Sequence, residues 1–329
     1  MSVALIACSN GYGHTRRILS IYMELKKKNI GATIFAKKKI LNDLIKIYNL
    51  ETPIFNDFDS CTQIENLVSG SAIDWENKLP SIKKFKIIIS DNLPDILNLR
   101  YDAILSGSFF WHMALKNIHP KIKKKHEYLI SKYKPTMISS NLFTPNYIEK
   151  KTHLYKVGLF KFRNIKIKTQ NKQNLLISFG SNNKKINYEK ILNIISNDQQ
   201  INNQFKKILI EPALFKNNMP KNFIKATYDN KMYESLKLAL VRPGIGTLTD
   251  LLHHKIKIIS FYEKNNSEMS FNAKVLRENN LGININNLNN LSKIIKFANS
   301  NNKLKNNNTI NFDGAKQTVK FILKTLKQL

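Results

Sequence analysis

Cysteine is scarce: Cys8 and Cys61 are the only two in 329 residues. That excludes a disulfide scaffold and a zinc site built from four thiolates, and the two lie too far apart for a zinc finger's close thiolate pair. A reduced cytosol is the natural compartment. Long hydrophobic runs are also missing. The first apolar run, residues 3–8, ends in Ser-Asn-Gly and is too short for a signal core or a bilayer span. No other stretch approaches 18 apolar residues, so the chain reads as soluble or peripheral and not integral. Arginine is nearly absent, with six residues against 47 lysines and 43 asparagines, and glycine stands at 11. Such usage is what an AT-rich coding sequence gives, whatever the protein does.

The net charge is +30, which invites a nucleic-acid reading. The charge is spread out, +11 over residues 1–157 and +19 over 158–329. Nucleic acid is therefore not the expected main partner. An anionic small-molecule substrate or an anionic membrane surface fits at least as well.

Strand and helix patterns alternate twice along the chain. Residues 2–8 form an apolar run bounded by glycine, the mark of a strand covered on both faces. Residues 14–29 follow with Ile18, Ile21, Tyr22 and Leu25 at helical spacing. Strands are then expected at 32–36, 86–90, 103–106 and 136–139, with helices at 40–48 and 122–133. Residues 56–80 give no clear pattern. A polar break at 158–173 reads as a linker. Beyond it, strands are expected at 175–179, 207–210, 239–241 and 256–261, and helices at 188–196, 247–254 and 271–280. The Asn-rich tract 284–311 reads as one short helix and a loop, and 312–329 as a closing helix. The fold class is therefore α/β. It comprises two Rossmann-like parallel-sheet domains facing across a cleft, the first over 1–157 and the second over 174–311. Ligands in such sheets bind beyond the carboxyl ends of strands, so the loops there carry the chemistry.

Three such loops stand out. The first is Gly11-Tyr12-Gly13-His14-Thr15-Arg16-Arg17 after strand one. Its glycines permit a tight turn and close backbone approach, and the helix start behind them favours negative charge. As a dinucleotide fingerprint it fails, because Arg16 takes the third glycine position and no acidic residue closes the second strand. His14 at a helix start is a candidate general base, or else a capping or packing histidine. Asp91, closing a buried strand in Ser90-Asp91-Asn92-Leu93-Pro94, could orient or replace it; the alternative is an Asx-turn before Pro94. The second loop is Arg242-Pro243-Gly244-Ile245-Gly246-Thr247-Leu248-Thr249-Asp250. Free amides at that helix start suit a diphosphate, Thr247 adds a hydroxyl or serves as N-cap, and Asp250 could take a ribose hydroxyl pair. The third is 263–272, where Glu268 and Asn272, four apart on one helical face, could bind sugar hydroxyls.

Together these segments resemble the GT-B glycosyltransferases, in particular the group around the N-acetylglucosaminyltransferase of peptidoglycan lipid synthesis. The resemblance rests on Gly-x-Gly-His-x-x-Arg, on Arg-Pro-Gly-x-Gly-Thr-x-x-Asp-Leu-Leu, and on Glu-x-x-x-Asn-Ala some 20 residues later. The Asp91–Pro94 turn and Ser108-Phe109-Phe110-Trp111 also resemble segments of a bacterial GT-B group. The likeness runs from residue 3 to about 282.

The resemblance implies a nucleotide-sugar donor, a UDP-sugar by preference, in the second domain. Gly180 and Ser181 would line the nucleotide pocket, Arg242, Gly244, Gly246 and Thr247 the diphosphate, Asp250 the ribose, and Glu268 with Asn272 the sugar. In the first domain it implies a sugar or lipid-linked acceptor at a loop of Gly11, Gly13 and Arg16, with His14 and Asp91 as the catalytic residues. Neither a metal nor another cofactor is implied, and inversion is expected. The sequence Glu268-Met269 stands where Gln or Asp-Gln is common, which leaves the donor sugar open.

The Asp57-Phe58-Asp59 sequence reads as a surface turn, not a metal site. The aromatic run 109–113 and the lysines of 121–125 are either core and solvated helix face or a contact with an anionic membrane. Lys37, Lys38 and Lys39 read as a solvated strand end, and His253 with His254 as a cationic helix end. Two other functions fit the same pattern: a nucleotide-sugar hydrolase or epimerase on this fold, and a nucleic-acid-binding protein.

Overall fold

A computed structural model of the chain describes residues 2–162, 172–180, 188–262, 266–285, 287–300 and 309–328. They form two units, Met1–Phe162 with Ile310–Leu329, and Arg163–Thr309.

The first unit is built on seven parallel strands: β1 (Ser2–Ile6), β2 (Gly31–Ala36), β3 (Phe55–Asp57), β4 (Ile87–Asp91), β5 (Ile104–Ser106), β6 (Thr136–Ser140) and β7 (His153–Val157). Their order is β3-β2-β1-β4-β5-β6-β7. Side chains alternate across a strand, and β1 shows why its whole run must be apolar. Ala4, Ile6 and Cys8 enter one core cluster, with Ile88, Phe110 and Trp111. Val3, Leu5 and Ala7 enter another on the opposite face, with Ile18, Ile21 and Leu25 of the helix Tyr12–Lys26.

The helix Gly314–Gln328 closes this same unit, and Val319, Ile322 and Leu326 join the second cluster. It meets residues 158–162, which belong to this unit and not to a linker beginning at 158. The Gly158 amide donates to Gln317 Oε1 at 2.7 Å, and the Leu159 amide to the Asn311 carbonyl at 2.8 Å. The crossing admits no side chain at Gly314, where a Cβ would stand 2.3 Å from the Gly158 carbonyl oxygen.

The second unit holds β8 (Asn174–Ser178), β9 (Ile208–Ile210), β10 (Phe223–Lys225), β11 (Leu236–Val241), β12 (Lys257–Ser260) and β13 (Gly282–Asn284), all parallel, in the order β10-β9-β8-β11-β12-β13. Its core gathers Leu175, Ile177, Ile208, Leu238 and Ile259 with Ile191 and Ile195 of the helix Tyr188–Asn197. In the Asn-rich tract the helix is Leu291–Ser300, and residues 301–308 lie outside the described residues.

The nine expected strands are present, within three residues at either end. The four the sequence did not reveal are β3, β7, β10 and β13, the outer strands of the two sheets.

Gly314→Ala forces Gly158 and the last helix apart. We expect a loss of about 1–3 kcal/mol, the usual cost of overpacking, read by denaturant unfolding; wild-type stability would contradict the crossing.

Candidate active site

In each sheet the winding reverses once, between β1 and β4 in the first and between β8 and β11 in the second. At such a reversal neighbouring loops leave in opposite directions, and ligands of doubly wound sheets settle there. The sequence's two glycine turns follow β1 and β11 and therefore open at these two points.

In the first unit, Gly11 takes φ +85 and caps the helix Tyr12–Lys26 without a side-chain bond. The loop below it is pinned by hydroxyls. The Ser9 amide donates to Ser60 Oγ and the Ser60 amide to Ser9 Oγ, at 3.1 and 3.0 Å. Cys8 Sγ lies 3.1 Å from Thr62 Oγ1. Burial pushes the Cys8 thiol up to about 12, so it stays protonated and serves as packing.

His14, nearly buried, faces the end of β4. Its Nδ1 lies 2.6 Å from Asp91 Oδ1, and Asp91 is fully buried. An ionised carboxylate only accepts, so Nδ1 carries the proton and the lone pair of a neutral ring sits on Nε2. Nε2 has no protein partner among the described residues, and a tenth of the side chain is exposed. The ring packs on Trp111 and Phe109, at centroid distances of 5.7 and 6.4 Å. Of the readings of Asp91, the geometry matches orientation of the His14 ring: the carboxylate holds Nδ1 from behind.

Arg17, absent from the sequence's candidate set, completes this group. Its Nε donates to Asp91 Oδ2 at 2.6 Å and its Nη2 to Oδ1 at 3.3 Å. Arg16, the expected loop residue, is buried with its guanidinium 5.7 Å from the Tyr48 ring centroid. The final position of Gly-x-Gly-His-x-x-Arg is Arg17, one helical turn beyond His14, and that spacing was the available signal.

In the second unit the Arg242 amide donates to the Ser178 carbonyl at 3.0 Å, tying the turn after β11 to the end of β8. Gly244 caps the helix Ile245–His253 with no side-chain bond and no acidic residue in its first turn. Gly246 and Thr247 lie inside that first turn, so Thr247 is not the N-cap. Tyr233 Oη donates to Asp250 Oδ2 at 3.3 Å.

Gly180 takes φ +83 after β8. Its amide and that of Phe179 both donate to Glu211 Oε2, at 2.8 and 2.7 Å. Glu211 therefore holds this turn from within, and nothing in the sequence singled it out, since it is one carboxylate past β9 with no local partner. Ser181 lies outside the described residues.

Glu268 is in the first turn of the helix Ser267–Glu278. Asn272, one turn further on, has a partner in the fold. It is buried and its Nδ2 donates to the Pro243 carbonyl at 2.9 Å, so it braces the Arg242–Gly244 turn.

Other expectations change as well. Phe109, Phe110, Trp111 and His112 are buried in the core, while Met113 at the end of the run and Tyr128 on the helix Pro120–Tyr133 are exposed. Asp57 and Asp59 are engaged by the Lys38 amide and the Lys37 ammonium, at 2.8 and 2.7 Å. These two carboxylates and Lys37, Lys38 and Lys39 line one open pocket of about 560 Å³. His254 is no cation: burial, and then His253 and Lys172, press it down to about 4. The cation at that helix end is Lys172, whose Nζ donates to the His254 carbonyl at 2.6 Å.

No protein-family model and no curated protein sequence matches the chain. Solved structures do. The glycosyltransferase SsfS6 of Streptomyces sp. SF2575, complexed with thymidine diphosphate, is similar over the whole of both chains at 13% identity, with a TM-score of 0.64. The spinosyn rhamnosyltransferase SpnG aligns over 100% of both chains at 11% identity and 0.65. UGT89C1 of Arabidopsis thaliana aligns over 98% of each at 11% and 0.67. These identities speak for the fold alone, which is that of the GT-B glycosyltransferases. Among the described residues no helix is long and apolar enough to cross a membrane.

His112, like His254, is held down by burial, to about 3. Both rings are neutral in the fold and gain a proton on unfolding at low pH, so stability is full above about pH 6.5 and falls toward pH 4. We expect about 1–2 kcal/mol lost per histidine between pH 7 and 5. Chemical denaturation should show the slope reduced in His112→Phe, and an unchanged slope would contradict the assignment.

Proposed function

We propose that the chain transfers a sugar from a nucleoside diphosphate to an acceptor hydroxyl, inverting the anomeric carbon. One observation carries this reading: His14, backed by Asp91, stands at the reversal point of the first sheet, while the glycine turn Gly244–Gly246 begins a helix, with no side-chain cap at Gly244, at that of the second.

In the first unit, His14 Nε2 takes the proton of the acceptor hydroxyl as its oxygen attacks the anomeric carbon. Asp91 steadies the imidazolium that forms. The bond from that carbon to the diphosphate breaks and the nucleoside diphosphate leaves. A single displacement aided by a base inverts the centre. In the second unit, the developing charge is met by the amides at Gly246 and Thr247 and by Arg242. Asp250 takes the ribose hydroxyls, and Glu268, one turn ahead of the bracing Asn272, reads the sugar. SsfS6 holding thymidine diphosphate supports a nucleoside diphosphate as the bound product. The resemblance favours uridine as the base, a hexose or N-acetylhexosamine as the sugar, and a sugar or lipid-linked acceptor. Charge stabilisation by amides and Arg242 assigns no task to a metal.

The test is thermal stabilisation by UDP, TDP and their sugars. A ligand at 100 times its Kd adds about 2.7 kcal/mol and raises the melting temperature. Asp250→Ala and Arg242→Ala should each weaken that binding at least about tenfold, the loss of one charge-assisted bond. No stabilisation by any nucleoside diphosphate, or wild-type affinity in both variants, would overturn the reading. Release of free sugar without acceptor would mark a hydrolase, and a changed sugar an epimerase. Steeply salt-dependent duplex binding without nucleotide affinity would mark a nucleic-acid-binding protein.

A further inference from the structure

We infer that Arg17 is a positioning residue for the base, acting through Asp91 on His14; the inference rests on the proposed role of His14. Asp91 ends β4 fully buried, and a buried carboxylate needs charge and hydrogen bonds around it. Its partners divide the work. Arg17 takes Oδ2 through Nε at 2.6 Å and reaches Oδ1 through Nη2 at 3.3 Å, while Ser106 Oγ lies 3.5 Å from Oδ2. His14 takes Oδ1 at 2.6 Å. A guanidinium is planar and always charged, so its fork fixes the plane of the carboxylate as well as its ionisation. With the plane fixed, Oδ1 points at Nδ1, and the ring can present only Nε2 outward.

The spacing has a simple origin. His14 and Arg17 lie three apart on the helix Tyr12–Lys26, hence on one face, and both reach the strand end beside them. Arg16 points elsewhere, over Tyr48. The groups around the His14 ring are few. From β4 comes Asp91, from its own helix Arg17, and from the 108–111 segment the uncharged rings of Phe109 and Trp111. The Cys8 thiol, which interacts with Asp91 and Trp111, stays protonated. Among the described residues Arg17 is thus the one cation bonded to Asp91, and it offsets the pull of that carboxylate on an imidazolium.

Removing Arg17 should therefore do two things that a merely structural residue would not. The uncompensated Asp91 would favour the charged ring, and the carboxylate would lose its fixed plane. Histidine ring NMR on the full chain reads both, with His14→Gln used only to assign the signals. In wild type we expect the Nδ1–H tautomer for neutral His14. In Arg17→Met we expect protonation at a pH about one unit higher, a tenfold change in proton affinity, and a loss of tautomer preference.

Should that variant fail to fold by circular dichroism, Arg17→Gln replaces it with the same expectation. Arg17→Lys keeps the charge without the fork, so the titration should stay near wild type while the tautomer preference weakens. Titration of His14 in Arg17→Met, or in its Gln substitute, that superimposes on wild type would overturn the inference. The NMR result is independent of turnover. If the titration shifts but no nucleotide sugar binds, the inference about Arg17 stands and the proposed function falls. Where turnover is measurable, kcat should fall about 10-fold or more with the donor KM unchanged, and the acidic limb of the pH profile should move up.

Discussion

Parallel pairing is the constraint on which the rest depends. When all strands of a sheet point one way, every strand ends on the same edge, and each must be re-entered by a crossover over one face, most often a helix. Both faces are then covered, so the strands must be apolar throughout, and polar chemistry is expelled to the loops at the carboxyl edge. Where the winding reverses, two of those loops part. The pairing of Leu5 with Ile89 and Ile6 with Ser90 brings His14 and Asp91, 77 residues apart, within one hydrogen bond. The pairing of Val241 with Ser178 does the same for the turns at Arg242 and Gly180.

The first unit contains a second His–Asp pair, which shows what location decides. His126 Nε2 lies 2.8 Å from Asp95 Oδ2, and Lys125 stands 3.1 Å from Asp95 Oδ1 and also bonds Glu76 and Asp74. Burial alone would raise the Asp95 carboxyl, but His126 and Lys125 hold it well below the usual carboxylate range. The chemistry matches that of His14, Asp91 and Arg17, a carboxylate between an imidazole and a cation. Yet His126 is buried, and its other nitrogen, Nδ1, has no partner and no access to solvent. It joins the 3-10 turn Pro94–Asn98 to the helix Pro120–Tyr133 and can receive no substrate proton. A carboxylate–imidazole pair is structural or chemical according to whether the far nitrogen is reachable.

The same distinction explains what could be read from the sequence. The central strands were legible because burial on both faces demands an unbroken apolar run, as in Val-Ala-Leu-Ile and Ile-Ile-Ile. The outer strands β3, β7, β10 and β13 have one neighbour each and a partly solvated face, so sequences such as Phe-Asn-Asp, Phe-Ile-Lys and Gly-Ile-Asn carry no such run. The glycine turns, His14 and Asp91 were legible because they follow strand ends directly. Glu211 and the bracing role of Asn272 were not, because each acts on a turn about 30 residues away in sequence. Between Arg16 and Arg17, spacing from His14 alone favours the latter, and only the packing of Tyr48 shows where the other goes.

Net charge, the most conspicuous property of the composition, says least about the site. Lysine side chains keep their ammonium groups in water while their stems cover the surface, so a codon bias toward lysine accumulates there at little cost to the fold. Surface ion pairs such as Lys26 with Glu51 are exposed and worth little. The charges that shape the two loop edges are few and shielded: Asp91 with Arg17, and Glu211 against two backbone amides. A buried charge cannot drift with composition, because losing its partner leaves an uncompensated ion in the core. The chain thus keeps the GT-B fold at 10–14% identity to its structural neighbours. Within it, those buried charges, not the +30 total, are where function should be sought.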